Sequence, residues 1–314
     1  MSILVTGGLG FIGSHTVQAL LDQGEHCVLV QRRASTPDRT GDVAVEQADI
    51  RDLASLRAVG ERHDITGIVH LAGSMPWPPN TGAPVEDARL ALGSLFNIMQ
   101  VAQDWGVRRV GVASTIGVYL SSGLTEGALT EDMPLSMGAA HLIPTFKKAG
   151  ELLGGYLADA TGIEVVNYRI SGTWGPRGHA DPFFAGPALV HAAARGVAPD
   201  LSGLAATPYA EDALDLCYVK DTGRAIALLH GAEKLRHATY NVASGRATSN
   251  AEIIAALRAV VPDADIDLPT GHAGAPRAWL DITRLHEDTG FTPEYDTARA
   301  AADYLAWLRD GHDA

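Results

Sequence analysis

A chain of 314 residues, 46% apolar and 19% charged, has material for a large α/β core and too few charges for long disordered tails. Its net charge of -13 comes with no basic run beyond Arg32-Arg33, Arg108-Arg109 and Lys147-Lys148, so a nucleic-acid backbone finds no clustered footprint. No segment approaches the roughly 18 to 20 apolar residues of a membrane span, and the two cysteines, Cys27 and Cys217, read as reduced, buried thiols, with no metal site expected.

Met1 runs straight into an apolar stretch, which leaves no room for a signal peptide, so a cytoplasmic location is expected. Residues 3–5, 27–30, 43–45, 67–71, 109–113 and 164–170 read as strands, and 13–23, 86–105 and 144–161 as helices between them. Strand-helix alternation predicts an α/β fold with a Rossmann-type, doubly wound parallel sheet. Leu90, Leu95, Ile98, Met99 and Val101 give the spacing of a helix that covers such a sheet. Past Gly175-Pro176 the pattern loosens into loops over 177–209, then shorter elements and helices near 250–260 and 297–309. The expected division is a dinucleotide-binding domain over 1–175 and a smaller C-terminal substrate-binding lobe over 176–314, interleaved with the sheet.

Residues 3–14 place a strand, a glycine-rich turn and a helix start in succession. Gly7 and Gly10 permit the tight turn and a close backbone approach to a pyrophosphate, and Gly13 lets the helix pack on the strand. The amides around Phe11, Ile12 and Gly13 would meet the phosphates at the positive end of the helix dipole. The end of the second strand selects the dinucleotide. An acid there would accept ribose hydroxyls, whereas this chain carries Gln31, Arg32 and Arg33, which favours the 2′-phosphate of NADP over NAD.

These motifs, with Ala48-Asp49-Ile50-Arg51-Asp52, Val69-His70-Leu71-Ala72-Gly73, Ser114-Thr115-Ile116-Gly117-Val118-Tyr119 and segments 169–176, 240–242 and 281–293, resemble the extended short-chain dehydrogenases/reductases of the NAD-dependent epimerase/dehydratase type. The resemblance covers nearly all of the chain. It implies adenine contacts at Asp49 and Ile50, and cofactor contacts at Leu71, Ala72, Gly73, Ala113, Lys147 and Ile170. It also implies a homodimer that pairs two long helices, here 86–105 and 144–161. Members of that family carry a Tyr four residues before the Lys, and the Lys lowers the phenol's pKa for proton exchange with substrate. With Lys147 followed at the family's interval by Glu151, the Tyr position holds Ile143. Leu90 stands where relatives often carry Asn, and Gly172 replaces an Asn that often contacts the phosphates of a nucleotide-sugar.

The hydroxyl that would polarise a substrate oxygen is Thr115, the cofactor-positioning ammonium is Lys147, and His141, just upstream of the expected helix, is the candidate proton carrier. Tyr119 reads as structural. His179 and Asp181 follow the Gly-Pro turn and could face substrate, and the stiff apolar run 75–79 favours a substrate with an apolar or ring portion. The leading expectation is an enzyme performing NAD(P)-dependent hydride chemistry (reduction, oxidation or epimerisation) at a carbonyl or carbinol of a small molecule. The alternatives are a non-redox isomerase, lyase or cyclase on the same scaffold, or a non-catalytic dinucleotide sensor.

Overall fold

Short apolar runs alternate with stretches of third-and-fourth-residue apolar spacing, and the chain folds accordingly. The computed structural model describes residues 1–33, 42–73, 83–120, 126–138, 141–178, 184–274 and 277–312. In chain order the elements are β1 (Ser2–Thr6), α1 (Phe11–Asp22), β2 (Cys27–Gln31), β3 (Val43–Gln47), α2 (Leu53–Gly60), β4 (Ile65–His70), α3 (Pro84–Trp105) and β5 (Arg109–Thr115), closed by a 3-10 turn at Ile116–Tyr119. Then come β6 (Glu126–Leu129), α4 (Leu142–Thr161), β7 (Glu164–Ile170), β8 (Gly172–Trp174) and α5 (Gly186–Arg195). The last part holds β9 (Ala213–Tyr218), α6 (Val219–Gly231), β10 (Thr239–Val242), β11 (Ala247–Ser249), α7 (Asn250–Val260), β12 (Arg277–Leu280), α8 (Thr283–Thr289) and α9 (Thr297–Arg309).

Seven strands pair in the order β10-β7-β5-β4-β1-β2-β3, every neighbour parallel. The chain steps outward from β1 through β2 and β3, then returns to place β4 on the other side. That reversal opens a crevice at the carboxyl ends of β1 and β4, where Thr6 is level with both Val30 and His70. Among the described residues no helix is long and apolar enough to cross a membrane.

Both faces of the sheet are covered, so its strands are apolar on both sides. Val17 and Leu20 of α1 and Ile226 and Leu229 of α6 bury one face, over Val5, Val69, Tyr168 and Tyr240. Leu56 of α2, Ile98 and Val101 of α3 and Val165 of β7 belong to the core on the other face, with Leu4 and Ile68. A third core gathers Trp174, Leu189, Leu216, Ile253, Leu257 and Tyr304 in the lobe. The lobe and the sheet share the chain more than once: β10 is the edge strand of the main sheet, and α6 lies against α1 so closely that a Cβ on Gly223 would stand 2.5 Å from the carbonyl carbon of His15.

The expectation of loop throughout 177–209 is corrected by α5. Pro187 lies in its first turn, Gly196 ends it at φ 66°, and Leu189, Val190 and Ala193 fill the lobe core. Burial inside the lobe, invisible in a Gly- and Ala-rich run, is what stabilises that helix. The first turns of α1, α3 and α4 begin two residues earlier than expected, at Phe11, Pro84 and Leu142. Helix α2 was hidden in the sequence by its brevity, although Asp52 caps it by accepting from the Ala54 amide at 3.0 Å.

Candidate active site

The turn after β1 is built by the absence of side chains. Gly7 takes φ 72°, and the Gly10 amide donates to the Gly7 carbonyl at 2.9 Å. A Cβ on Gly13 would lie 2.0 Å from the Gly7 oxygen, and one on Gly7 would lie 3.0 Å from the Ala72 nitrogen. Gly10 precedes α1 and no side chain caps the helix, so its first-turn amides at Phe11 and Ile12 are available to an anion. The loop after β8 lies over this helix start: His15 Nε2 is 3.1 Å from the Pro176 oxygen, and a Cβ on Gly178 would touch the Phe11 ring at 3.0 Å.

At the far end of the crevice Gln31 closes β2, and Arg32 and Arg33 follow it exposed. Asp49 does not present a free carboxylate. The Arg51 guanidinium grips it from Nε at 2.9 Å and Nη2 at 2.5 Å, which holds Asp49 below the usual carboxylate range, with Arg32 adding to the effect. Ile50 is buried, and its carbonyl accepts from Asn97 Nδ2 at 3.0 Å.

The other end is organised by α4. Thr115 ends β5 level with Ile170, and its Oγ1 accepts from the Gly117 amide at 3.1 Å, capping the 3-10 turn. A Cβ on Gly117 would stand 3.0 Å from Pro144 Cγ and 3.4 Å from Thr115 Oγ1, so the Thr115 side chain and the first turn of α4 converge over that glycine. Ile143, half-buried, is in that turn, and His141 is the half-buried residue immediately before α4. One turn further on, Lys147 Nζ donates to the Ala113 carbonyl at 2.6 Å. Burial pushes this ammonium down to about 8, against the opposing pull of Glu151.

Lys147 lines a cavity of about 50 Å³ with His70, Ala72, Gly73, Ser114, Glu151 and Asn167, among others. His70 Nδ1 is 2.8 Å from Thr6 Oγ1, which in turn accepts from the Ala72 amide at 3.2 Å. Burial and then the nearby Lys147 charge push His70 down to about 3, so it is neutral at physiological pH. Glu151 accepts from Ser114 Oγ at 2.5 Å and from Arg169 Nη2 at 2.7 Å. Arg169 Nη1 donates to the Tyr119 hydroxyl at 2.8 Å, and that hydroxyl donates to Asn241 Oδ1 at 2.8 Å. Burial pushes the phenol up to about 12, so Tyr119 serves as a buried strut.

Thr115, Ile143, Lys147 and Ala113 are therefore gathered at one end of the crevice, and Gly7 to Gly13 with Ala72 at its middle. The run 75–79 and His179 and Asp181 lie outside the described residues. Sequence reasoning did not single out His70, Ser114, Asn167 or Arg51. The four-residue interval from Lys147 to Glu151 was visible, but the Arg169 partner that explains Glu151 comes from another strand. On the lobe side, a Cβ on Gly172 would meet Leu216 Cδ2 at 2.8 Å and Leu214 Cδ2 at 2.9 Å, so two leucines close over that glycine.

Lys147 gives this end of the site a pH dependence. A lysine whose folded pKa lies near 8, below its unfolded value near 10.4, binds fewer protons folded than unfolded across that window. Its ammonium therefore costs stability below pH 8, and the cost fades as pH rises toward 10.4. The stability of the ligand-free protein minus that of Lys147→Met should rise by roughly 1 to 2 kcal/mol from pH 7 to 10, allowing for partial solvent access. Calorimetric melts at both pH values check this, and a flat difference counts against it.

The same organisation recurs in known proteins. The model of the NAD dependent epimerase/dehydratase family matches residues 3–243. UDP-glucose 4-epimerase of Azospirillum brasilense is 26% identical over 94% of this chain and 88% of its own length. The enzyme of the same name from Bacillus subtilis is 30% identical over 43% of this chain, and the alignment spans 42% of that relative, about two fifths of its length. MoeE5, solved with UDP-glucuronic acid and NAD, superposes with a TM-score of 0.77 at 26% identity, covering 99% of this chain and all (100%) of its own. UDP-glucose 4-epimerase from Thermotoga maritima, solved with UDP-glucose, gives a TM-score of 0.80 at 21% identity and 99% coverage of both chains, a likeness of fold. The parallel sheet with its glycine turn, and the match over residues 3–243, place this chain in the NAD-dependent epimerase/dehydratase family.

Proposed function

We propose that this chain is an NADP(H)-using enzyme acting at a carbonyl or carbinol of a small molecule, without the phenol its family usually employs. The observation that carries the reading is the side-chain-free cradle between Gly7 and Gly13, where a Cβ would fall 2.0 Å from backbone oxygen and where α1 offers uncapped amides. A pyrophosphate fits such a cradle. Lys147, with one N–H committed to Ala113, has two more to donate to ribose hydroxyls. A nicotinamide held there would supply or accept the hydride. Thr115, whose Oγ1 accepts from the Gly117 amide, retains its own O–H to donate to the substrate oxygen. Ile143 cannot move a proton, so His141 or a water carries it.

Gln31, Arg32 and Arg33 support NADP over NAD, and the Arg51 guanidinium offsets the charge of the Asp49 carboxylate. The family relatives named above include enzymes solved with UDP-sugars. Here Gly172 offers no side-chain amide to a nucleotide-sugar diphosphate, which supports a substrate without one. The natural division of labour is a dinucleotide-binding unit over 1–175 and a substrate lobe over 176–314, operating in the cytoplasm, where the buried Cys27 and Cys217 stay reduced. A second reading, a non-redox isomerase, lyase or cyclase with the dinucleotide as fixture, is favoured by one specific feature, the aliphatic Ile143.

The same reading includes a homodimer through α3 and α4. These helices pack together, yet leave Val85, Phe96, Leu152 and Tyr156 exposed at 68%, 44%, 74% and 69%, a face that a second copy would cover.

Cofactor choice, proton donor and assembly can each be tested separately. In titration calorimetry the wild type should bind NADPH more tightly than NADH, and Arg32→Ala with Arg33→Ala should cost NADPH roughly tenfold or more while leaving NADH nearly unchanged. A preference for NADH refutes the NADP assignment, and failure of both dinucleotides to bind refutes the whole reading. Ile143→Tyr, assayed for NADPH consumption over a panel of cyclic and aromatic ketones, should raise turnover by roughly 10² or more if a redox step lacks only its proton donor. Loss of a native reaction with no gain in NADPH consumption would favour the non-redox reading. By light scattering the wild type should have twice the monomer mass, and Phe96→Glu with Tyr156→Glu should halve it; a monomeric wild type removes the dimer.

A further inference from the structure

The turn that follows β8 holds a residue type that its conformation disfavours. The Gly178 amide donates to the Gly175 carbonyl at 3.0 Å, so residues 175–178 form a hydrogen-bonded β-turn with Pro176 and Arg177 as its central pair. Proline fixes its own φ at about −65°, and Arg177 has φ 68°. That combination is a type II turn, whose third residue is ordinarily glycine or asparagine because a Cβ is strained at positive φ. Among the described residues Arg177 is the only non-glycine residue with positive φ.

The strain persists because the turn is held from several sides. A Cβ on Gly175, itself at φ 138°, would stand 2.7 Å from Val219 Cγ1 and 2.9 Å from Tyr218 Cε2. The Pro176 carbonyl oxygen lies 3.1 Å from His15 Nε2, and a Cβ on Gly178 would lie 3.0 Å from the tip of the Phe11 ring. The residues flanking Arg177 are thus fixed to the junction of β9 and α6 on one side and to α1 on the other, which over-determines the conformation between them.

Those contacts also place residue 177. Phe11 and His15 are four residues apart on α1, so their rings share one face of the helix, and helical side chains lean toward the amino end. Arg177, between the two residues that meet those rings, is therefore held over the turn that offers the uncapped Phe11 and Ile12 amides. That first turn carries no acidic side chain. Glycine at position 177 would be unstrained, whereas arginine adds a half-buried, permanently charged fork whose N–H groups match phosphate oxygens. The cations already placed serve other parts of a dinucleotide, Arg32 and Arg33 after β2 and Lys147 at Ala113. Resting on the dinucleotide reading above, we propose that Arg177 binds the diphosphate of the cofactor, donating to oxygens that the α1 amides hold from the other side.

Titration calorimetry of Arg177→Gly tests this, because glycine suits the turn and removes only the side chain. NADPH and NADH carry the same diphosphate, so both should weaken alike, by about tenfold or more, the scale of one charge-assisted hydrogen bond. Wild-type affinity should also fall more steeply with added salt than that of the variant, which has lost a cation–phosphate contact. A residue that merely shapes the turn would leave the two salt dependences equal. Unchanged affinity, a loss confined to NADPH, or equal salt dependences overturns the proposal. A wild type that binds neither dinucleotide removes the dinucleotide reading and this proposal with it, whereas wild-type binding fully retained in Arg177→Gly removes this proposal alone. Arg177→Asn, whose side chain tolerates positive φ and carries no charge, gives the same measurement should the glycine variant fold poorly.

Discussion

The ion pair between Glu151 of α4 and Arg169 of β7 is the constraint on which the geometry of the crevice depends. Its two side chains are largely removed from solvent, at 10% and 6% exposure, and meet at 2.7 Å. Such a pair contributes little net stability when intact, but removing one partner leaves the other charged and buried, at a cost of about 3 to 5 kcal/mol. Further hydrogen bonds hold both side chains in place. Ser114 donates to Glu151, and Arg169 donates to the Tyr119 hydroxyl and to the Glu131 carbonyl. The pair thereby locks α4 onto the ends of β5 and β7. Lys147, one turn before Glu151, can then reach only the mouth of the crevice at Ala113.

The chemical consequence is a site with one cation poised to lose its proton and one histidine that stays neutral. Lys147 is pushed toward neutrality by burial and held back by Glu151, while its own charge helps keep His70 unprotonated. A proton placed on His70 would face Lys147 at close quarters, so the two groups do not share the load. The first turn of α4 brings the aliphatic Ile143, half-buried, to this end of the crevice, and that side chain can neither donate nor accept a proton.

The two ends of the crevice rely on opposite physical devices. The middle is built of backbone, and a Cβ at Gly7 or Gly13 would crowd main-chain atoms at 3.0 and 2.0 Å. The far end works through side-chain charge, where Arg51 neutralises Asp49 and leaves Arg32 and Arg33 exposed beside it. On the lobe side Leu214 and Leu216 pack against Gly172 as part of the lobe's own core.

The amino-acid order alone determined the parallel sheet, the glycine turn, the arginines after β2 and the isoleucine four residues before Lys147, because each is a local pattern: periodicity, a turn's need for positive φ, or a fixed interval along one helix. It did not determine α5, whose Gly- and Ala-rich run acquires its helix from burial in the lobe. Nor did it determine the arginine that answers Glu151, the link from Thr6 through His70 toward Lys147, or the Arg51 grip on Asp49. The first two join strands and helices distant in sequence, and the third depends on a turn that folds a side chain back by two residues. Hydrogen bonds and ion pairs of this kind depend on where elements come to rest, and only the packed sheet decides that.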